Sequence, residues 1–123
     1  MIATFMIALL TVQTPQAEQP GPRHWTEGQI RWRQMPIPAV PSGETGTVQA
    51  QLTCTVGGRG RVRDCRIDRA APQGTRFGQA VLRNMSRATL REDGKQAGDT
   101  LTFQLRACSD ILDPCEPIAW PEG

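Results

Sequence analysis

From Thr47 to Val56 the chain reads TVQAQLTCTV, and Val48, Ala50, Leu52, Cys54 and Val56 alternate with Thr and Gln. A period of two with one apolar face predicts a half-buried strand. Gly57 to Gly60, GGRG, follows as a tight turn in which glycine supplies positive φ. Arg61 to Asp68, RVRDCRID, then reads as the returning strand. Its apolar residues Val62, Cys65 and Ile67 are spaced by three and then two. Strict alternation would split them between faces, so the pattern predicts a bulge near Arg63 and Asp64. With that bulge Val56 lies near Val62, Cys54 opposite Cys65 and Leu52 opposite Ile67.

The segment AAPQG (70–74) ends this pattern. Thr75 is a candidate cap for a helix running to about Ala88, with Phe77, Ala80, Val81, Met85 and Ala88 on one side. A polar loop, Thr89 to Gly98, carries a turn at Asp93-Gly94. Alternation returns over Asp99 to Ala107, where Leu101, Phe103, Leu105 and Ala107 point one way and Thr100, Thr102, Gln104 and Arg106 the other. The expected fold class is α+β: a small ββαβ domain, an antiparallel sheet with one helix packed on one face.

The flanks differ. Glu18 to about Gly46 is rich in Pro, Gly and polar residues and reads as an irregular lead-in. Within it QIRWRQMPIPAVP (29–41) alternates weakly and holds three prolines, so it is at best an edge or extended segment. Trp32, Met35, Ile37 and Val40 are its candidates for core contact, and Trp25 is read as a cover for the domain edge. Residues Met1 to Val12 are apolar, about as long as a signal-peptide core and too short to span a bilayer. The expected organisation is a signal peptide over 1–17, a lead-in over 18–45, a folded domain over 46–107 and a disulfide-looped tail over 108–123. That places the mature protein in the periplasm or outside the cell.

Cysteine usage fits that compartment. Four cysteines in a short exported chain suggest two disulfides and allow three connectivities; proximity favours Cys54–Cys65 and Cys108–Cys115. On the chain-entropy model a twelve-residue loop gives about 2.8 kcal/mol and an eight-residue loop about 2.5 kcal/mol. Intervals of ten and six residues between the paired cysteines, with His24 the only histidine, do not fit a metal site. No metal and no cofactor are expected.

The net charge of +2 argues against a nucleic-acid binder, whose footprint is a strongly basic face. No acid–base or nucleophile pair stands out, so the chain is not expected to be an enzyme. Arg59, Arg61, Arg63, Arg66 and Arg69 cluster along the hairpin. They form either a solvated outer face or a docking patch for an anionic surface.

The order strand, turn, strand, helix, strand, carried on GTVQAQLTCTVGGRGRVRDCRI, resembles the C-terminal domain of TonB-type energy transducers. Gly46, Val48, Val56, Gly60, Val62, Ala80 and the Leu101–Phe103–Leu105 strand match that family's pattern. A cysteine-containing branch is matched by Cys54, Val56, Gly60 and Cys65, then Gly74, Phe77, Gly78 and Ala80. DGKQAGDTLTFQL resembles the closing loop and strand of that branch. The resemblance covers about Gly46 to Ala107. It implies a non-catalytic module that binds an envelope or outer-membrane protein by strand addition at a sheet edge. The candidate partner-binding residues are Arg59, Arg61, Arg63 and Arg66 on the hairpin, and Thr100, Thr102, Gln104 and Arg106 on the final strand, expected to be an edge. The alternatives are a small secreted enzyme inhibitor and a structural envelope protein.

Overall fold

The alternating run 47–56 becomes the strand from which the sheet is built. The computed structural model describes residues 21–109 and 115–121; the proposed signal segment lies outside them. In chain order the elements are β1 (His24–Trp25), β2 (Trp32–Gln34), β3 (Thr47–Val56), β4 (Val62–Ala71), helix α1 (Phe77–Asn84), β5 (Thr89–Leu90) and β6 (Thr100–Cys108). One sheet has the order β1-β6-β3-β4, and β2 and β5 form a separate antiparallel pair. Strand β3 is antiparallel to both its neighbours, whereas β1 runs parallel to β6.

The chain is thus α+β, with a ββαβ unit of β3, β4, α1 and β6. Val48, Ala50, Leu52, Cys54 and Val56 are all buried on one face of β3, beside Leu101, Phe103 and Leu105 of β6. Phe77 and Val81 of α1, both 0% exposed, cover that face, and Met85, Ala88 and Leu90 extend the layer. Fully burying side chains of this size stabilises by about 1.5–3 kcal/mol each. Trp32 closes the layer by setting its ring edge-on to Phe103, with centroids 5.0 Å apart.

The hairpin has the expected register. Val56 pairs with Val62 and Leu52 with Ile67, and the register shifts between Thr53 and Thr55. There Asp64, at φ 52°, and Cys65 together oppose Cys54, and the Cys54–Cys65 disulfide closes across the bulge. The second disulfide joins Cys108 to Cys115.

Four segments differ from expectation. Strand β4 continues to Ala71, because a second register shift at Asp68 lets Ala70 and Ala71 pair with Ala50 and Gln49. The helix is shorter: α1 ends at Asn84 and tightens into a 3₁₀ turn over Met85–Arg87. Thr75 accepts the Phe77 N–H at 3.2 Å at its start. The lead-in and the polar loop are also less irregular than their composition suggests, since Trp32 pairs with Leu90 and Gln34 with Thr89. Strand β2 stops before Pro36, which lacks an N–H for further pairing.

Glu44 fastens the lead-in to the start of α1. It accepts the Thr75 hydroxyl at 2.5 Å and the Arg76 N–H at 2.9 Å, and these bonds, with the Arg76 guanidinium, hold its carboxyl below the ordinary range.

The hairpin tip meets β5 through an Arg61–Thr89 bridge and a close approach at Gly60. Gly60 has φ 75°, and a Cβ there would lie 2.8 Å from the Leu90 carbonyl oxygen. Gly58, with nothing within 4 Å of a built Cβ, is the natural control. Gly60→Ala is expected to lower stability by about 1–3 kcal/mol in urea denaturation, against little change for Gly58→Ala. Equal effects would show that the Leu90 contact is unimportant.

Candidate functional site: the polar face and the open edge of the sheet

Alternation that buries one face of β3 must present Thr47, Gln49, Gln51, Thr53 and Thr55 on the other. Cross-strand pairing extends these into rows. Arg63, Thr55 and Thr100 form one row; Arg66, Thr53 and Thr102 the next; then Arg69, Gln51 and Gln104; and finally Ala71, Gln49 and Arg106. Six of the eight candidate residues, Arg63, Arg66, Thr100, Thr102, Gln104 and Arg106, therefore share one surface. Arg59 and Arg61 lie apart from it, at the hairpin tip.

Hydrogen bonds knit the rows. Thr53 Oγ1 donates to Asp68 Oδ2 at 2.6 Å and lies 2.9 Å from Thr102 Oγ1. Arg69 donates from Nε and Nη2 to Gln51 Oε1 at 3.1 and 3.0 Å. Arg66 lies 3.3 Å from Asp68, and His24 Nδ1 is 2.7 Å from Thr100 Oγ1. Arg63 and Arg66 are well exposed, so their ion pairs with Asp64 and Asp68 contribute little stability.

The last row is covered. Gln49, 1% exposed, donates from Nε2 to the Ile118 carbonyl at 2.7 Å and accepts the Ile118 N–H at 3.2 Å. Its Oε1 also accepts Arg106 Nε at 3.0 Å. This side-chain amide acts toward the tail as a peptide group acts toward a neighbouring strand. The Arg69 guanidinium lies 4.2 Å from the Trp120 ring centroid, a second hold on the same segment. Nothing in the sequence separates Gln49 from Gln51 and Gln104, which stand on the same face and are only partly buried.

The two edges of the sheet differ. Strand β6 is only partly the free edge expected of it: β1 pairs with it at Thr100 and Leu101, and the lead-in reaches on to Gln104. The Thr100 N–H donates to the Arg23 carbonyl at 2.9 Å, and the Gln104 N–H donates to Glu27 Oε1 at 3.3 Å. Strand β4 ends the sheet, and among the described residues no strand pairs with its outer side along its length.

What holds the lead-in against β6 is a small charged cluster. Asp99, 3% exposed, accepts the Arg23 N–H at 3.0 Å, the Trp25 indole N–H at 2.9 Å and the Gln96 N–H at 3.0 Å. The Trp25 ring has cations against it, the Arg23 guanidinium at 4.7 Å and the Lys95 ammonium at 4.5 Å from its centroid. Lys95 donates to both Asp93 oxygens at 3.0 Å and to the Gln29 carbonyl at 2.7 Å. Burial pushes the Asp99 carboxyl up, but the three donors and the Arg23 charge outweigh it and leave the group below its ordinary value of 3.8.

Among the described residues no group of three His, Cys, Asp or Glu side chains is placed to hold a metal ion, and all four cysteines are in disulfides. What the polar face presents is donors, hydroxyls and guanidinium groups, next to an open strand. No family model matches the chain, and neither the curated proteins nor the solved structures contain a significant match to it.

Two outcomes follow from this geometry. A carboxyl with a lowered folded-state pKa contributes stability that is present above the unfolded value and lost as pH falls through the folded one. Asp99→Asn is therefore expected to be less stable than the parent at pH 7, the gap narrowing below about pH 4 in thermal melts; a gap independent of pH would remove the carboxylate from this role. Gln49→Leu leaves the Ile118 peptide groups and Arg106 Nε without their partner. It is expected to cost about 1–3 kcal/mol and to speed hydrogen exchange at the Ile118 amide, and unchanged protection there would exclude the clamp.

Proposed function

We propose that this chain is an exported, non-catalytic protein-interaction module of the periplasm or cell exterior, related in design to the TonB C-terminal domain. It binds an envelope protein by accepting an extended segment of that partner against β4. The open outer side of this ten-residue strand carries the reading. An unpaired strand edge offers a row of main-chain donors and acceptors, which is the basis of recognition by strand addition. The two disulfides and the apolar N-terminal run support an oxidising compartment. Among the described residues no helix is long and apolar enough to cross a membrane.

Arg63, Arg66 and Arg69 define the chemistry of the partner. They stand on the polar face beside the open edge, so a strand with acidic side chains at alternate positions meets them directly. The same arginines oppose pairing between two copies of β4, and the two register shifts interrupt a regular ladder. Unwanted self-association is thereby discouraged while an acidic partner is favoured.

An extended peptide alternating Glu with Val or Thr, titrated into isotopically labelled protein, is expected to shift the amides of β4 from Arg63 to Ala71. The Arg66→Glu/Arg69→Glu double variant is expected to weaken binding by about tenfold or more. Shifts confined to Thr100–Arg106, or none at millimolar peptide, would refute docking at β4.

A further inference from the structure

The hairpin tip and the loop after β5 flank an open cleft of about 360 Å³, lined by Gly57, Gly58, Arg59, Gly60, Arg91 and Lys95 among others, with Glu92 in its wall. A second cleft of about 330 Å³ is bordered by Arg33, Arg91 and Glu92. Arg91 and Glu92 are thus a wall common to both, and three arginines reach this region from three separate parts of the chain. We propose that this arginine-lined cleft binds a phosphate-class anion, such as a phosphate monoester or pyrophosphate. The proposal is independent of strand addition at β4, because Arg59 and Arg91 lie off the polar face.

Charge balance at the site favours an anion. Lys95 is matched by Asp93 and contributes no free charge. Arg33, Arg59 and Arg91 form no ion pair among the described residues, and Glu92 is the opposing carboxylate in both linings. Arg91 is anchored by its neighbours. The Arg91 N–H donates to the Arg31 carbonyl at 2.9 Å and its Nε to the Trp32 carbonyl at 3.4 Å, which fixes the residue against β2. Arg59 occupies a left-handed conformation, φ 58° and ψ 36°, between two glycines. A side chain there is disfavoured relative to glycine or asparagine, yet this turn carries an arginine at the cleft.

A phosphate group suits this arrangement better than a single carboxylate does. Its oxygens diverge and accept from donors arriving from several directions, and guanidinium binds them in pairs. The glycine-rich wall adds no side chains beyond Arg59 on its side, which leaves room for such a group. Clefts of this size lie at the lower end of the range for small-molecule sites.

Titration of the full chain with inorganic pyrophosphate at physiological salt tests the assignment by amide shifts. Saturable shifts at Gly57–Gly60 and Arg91–Gly94, with a dissociation constant below about 10 mM, are expected. Arg59→Ala/Arg91→Ala is expected to weaken binding by about tenfold or more while leaving the circular dichroism spectrum unchanged, and Glu92→Gln to tighten it. Parallel sedimentation with phosphatidylglycerol vesicles separates the sources: vesicle binding displaced by pyrophosphate identifies a lipid phosphate, and pyrophosphate binding alone identifies a soluble ligand. Unsaturable shifts, equal shifts with chloride, or full affinity in the double-arginine variant would overturn the proposal.

Discussion

The register of the β3–β4 hairpin depends on one extra residue. Val62, Cys65 and Ile67 share a face only because Asp64 and Cys65 together stand opposite Cys54, with Asp64 in a left-handed conformation. A slip of one residue would turn the apolar set of β4 to the other face and the arginines toward the helix. The Cys54–Cys65 bond locks the choice, since a cross-link between these positions is compatible with one alignment alone. Gly78 of α1 then rests on Ile67, where a Cβ would meet the isoleucine side chain at 3.0 Å. Helix placement, and with it the burial of Phe77 and Val81, follows from this register.

Much of this was legible in the residues. Period-two runs identified β3 and β6, helical spacing identified α1, and the irregular spacing in RVRDCRID pointed to the bulge. Cysteine proximity gave both disulfides. Other features were hidden for physical reasons. Strands of two or three residues, such as β1, β2 and β5, are too short to show a period, and long-range pairing creates them. The second register shift at Asp68 falls among polar residues, where no apolar pattern marks it. The helix end was overestimated because Met85 and Ala88 keep the apolar stripe after the backbone has tightened.

The candidate surface was legible as two separate sets and not as one. Alternation alone assigns Arg63 and Arg66 outward on one strand and Thr100 and Thr102 outward on another. Only the strand order, with β3 between them, turns these into continuous rows. That order also covers the start of the β6 edge and leaves β4 open along its length. Trp25 and Asp99 explain the cover: an indole N–H and a buried carboxylate, 74 residues apart in sequence, meet at 2.9 Å and bring the lead-in alongside β6. Nothing local to either residue announces that meeting.

Lys95 is the only lysine in the chain, and its side chain is 3% exposed, enclosed by Asp93, the Gln29 carbonyl and the Trp25 ring. Amine-directed reagents therefore meet a folded molecule whose one side-chain amine is sheltered, while thirteen arginines supply the rest of its basic charge. Modification of that amine becomes a reporter of the lead-in leaving the sheet: labelling follows the opening of the Trp25 cluster and stays silent for as long as the cluster is closed.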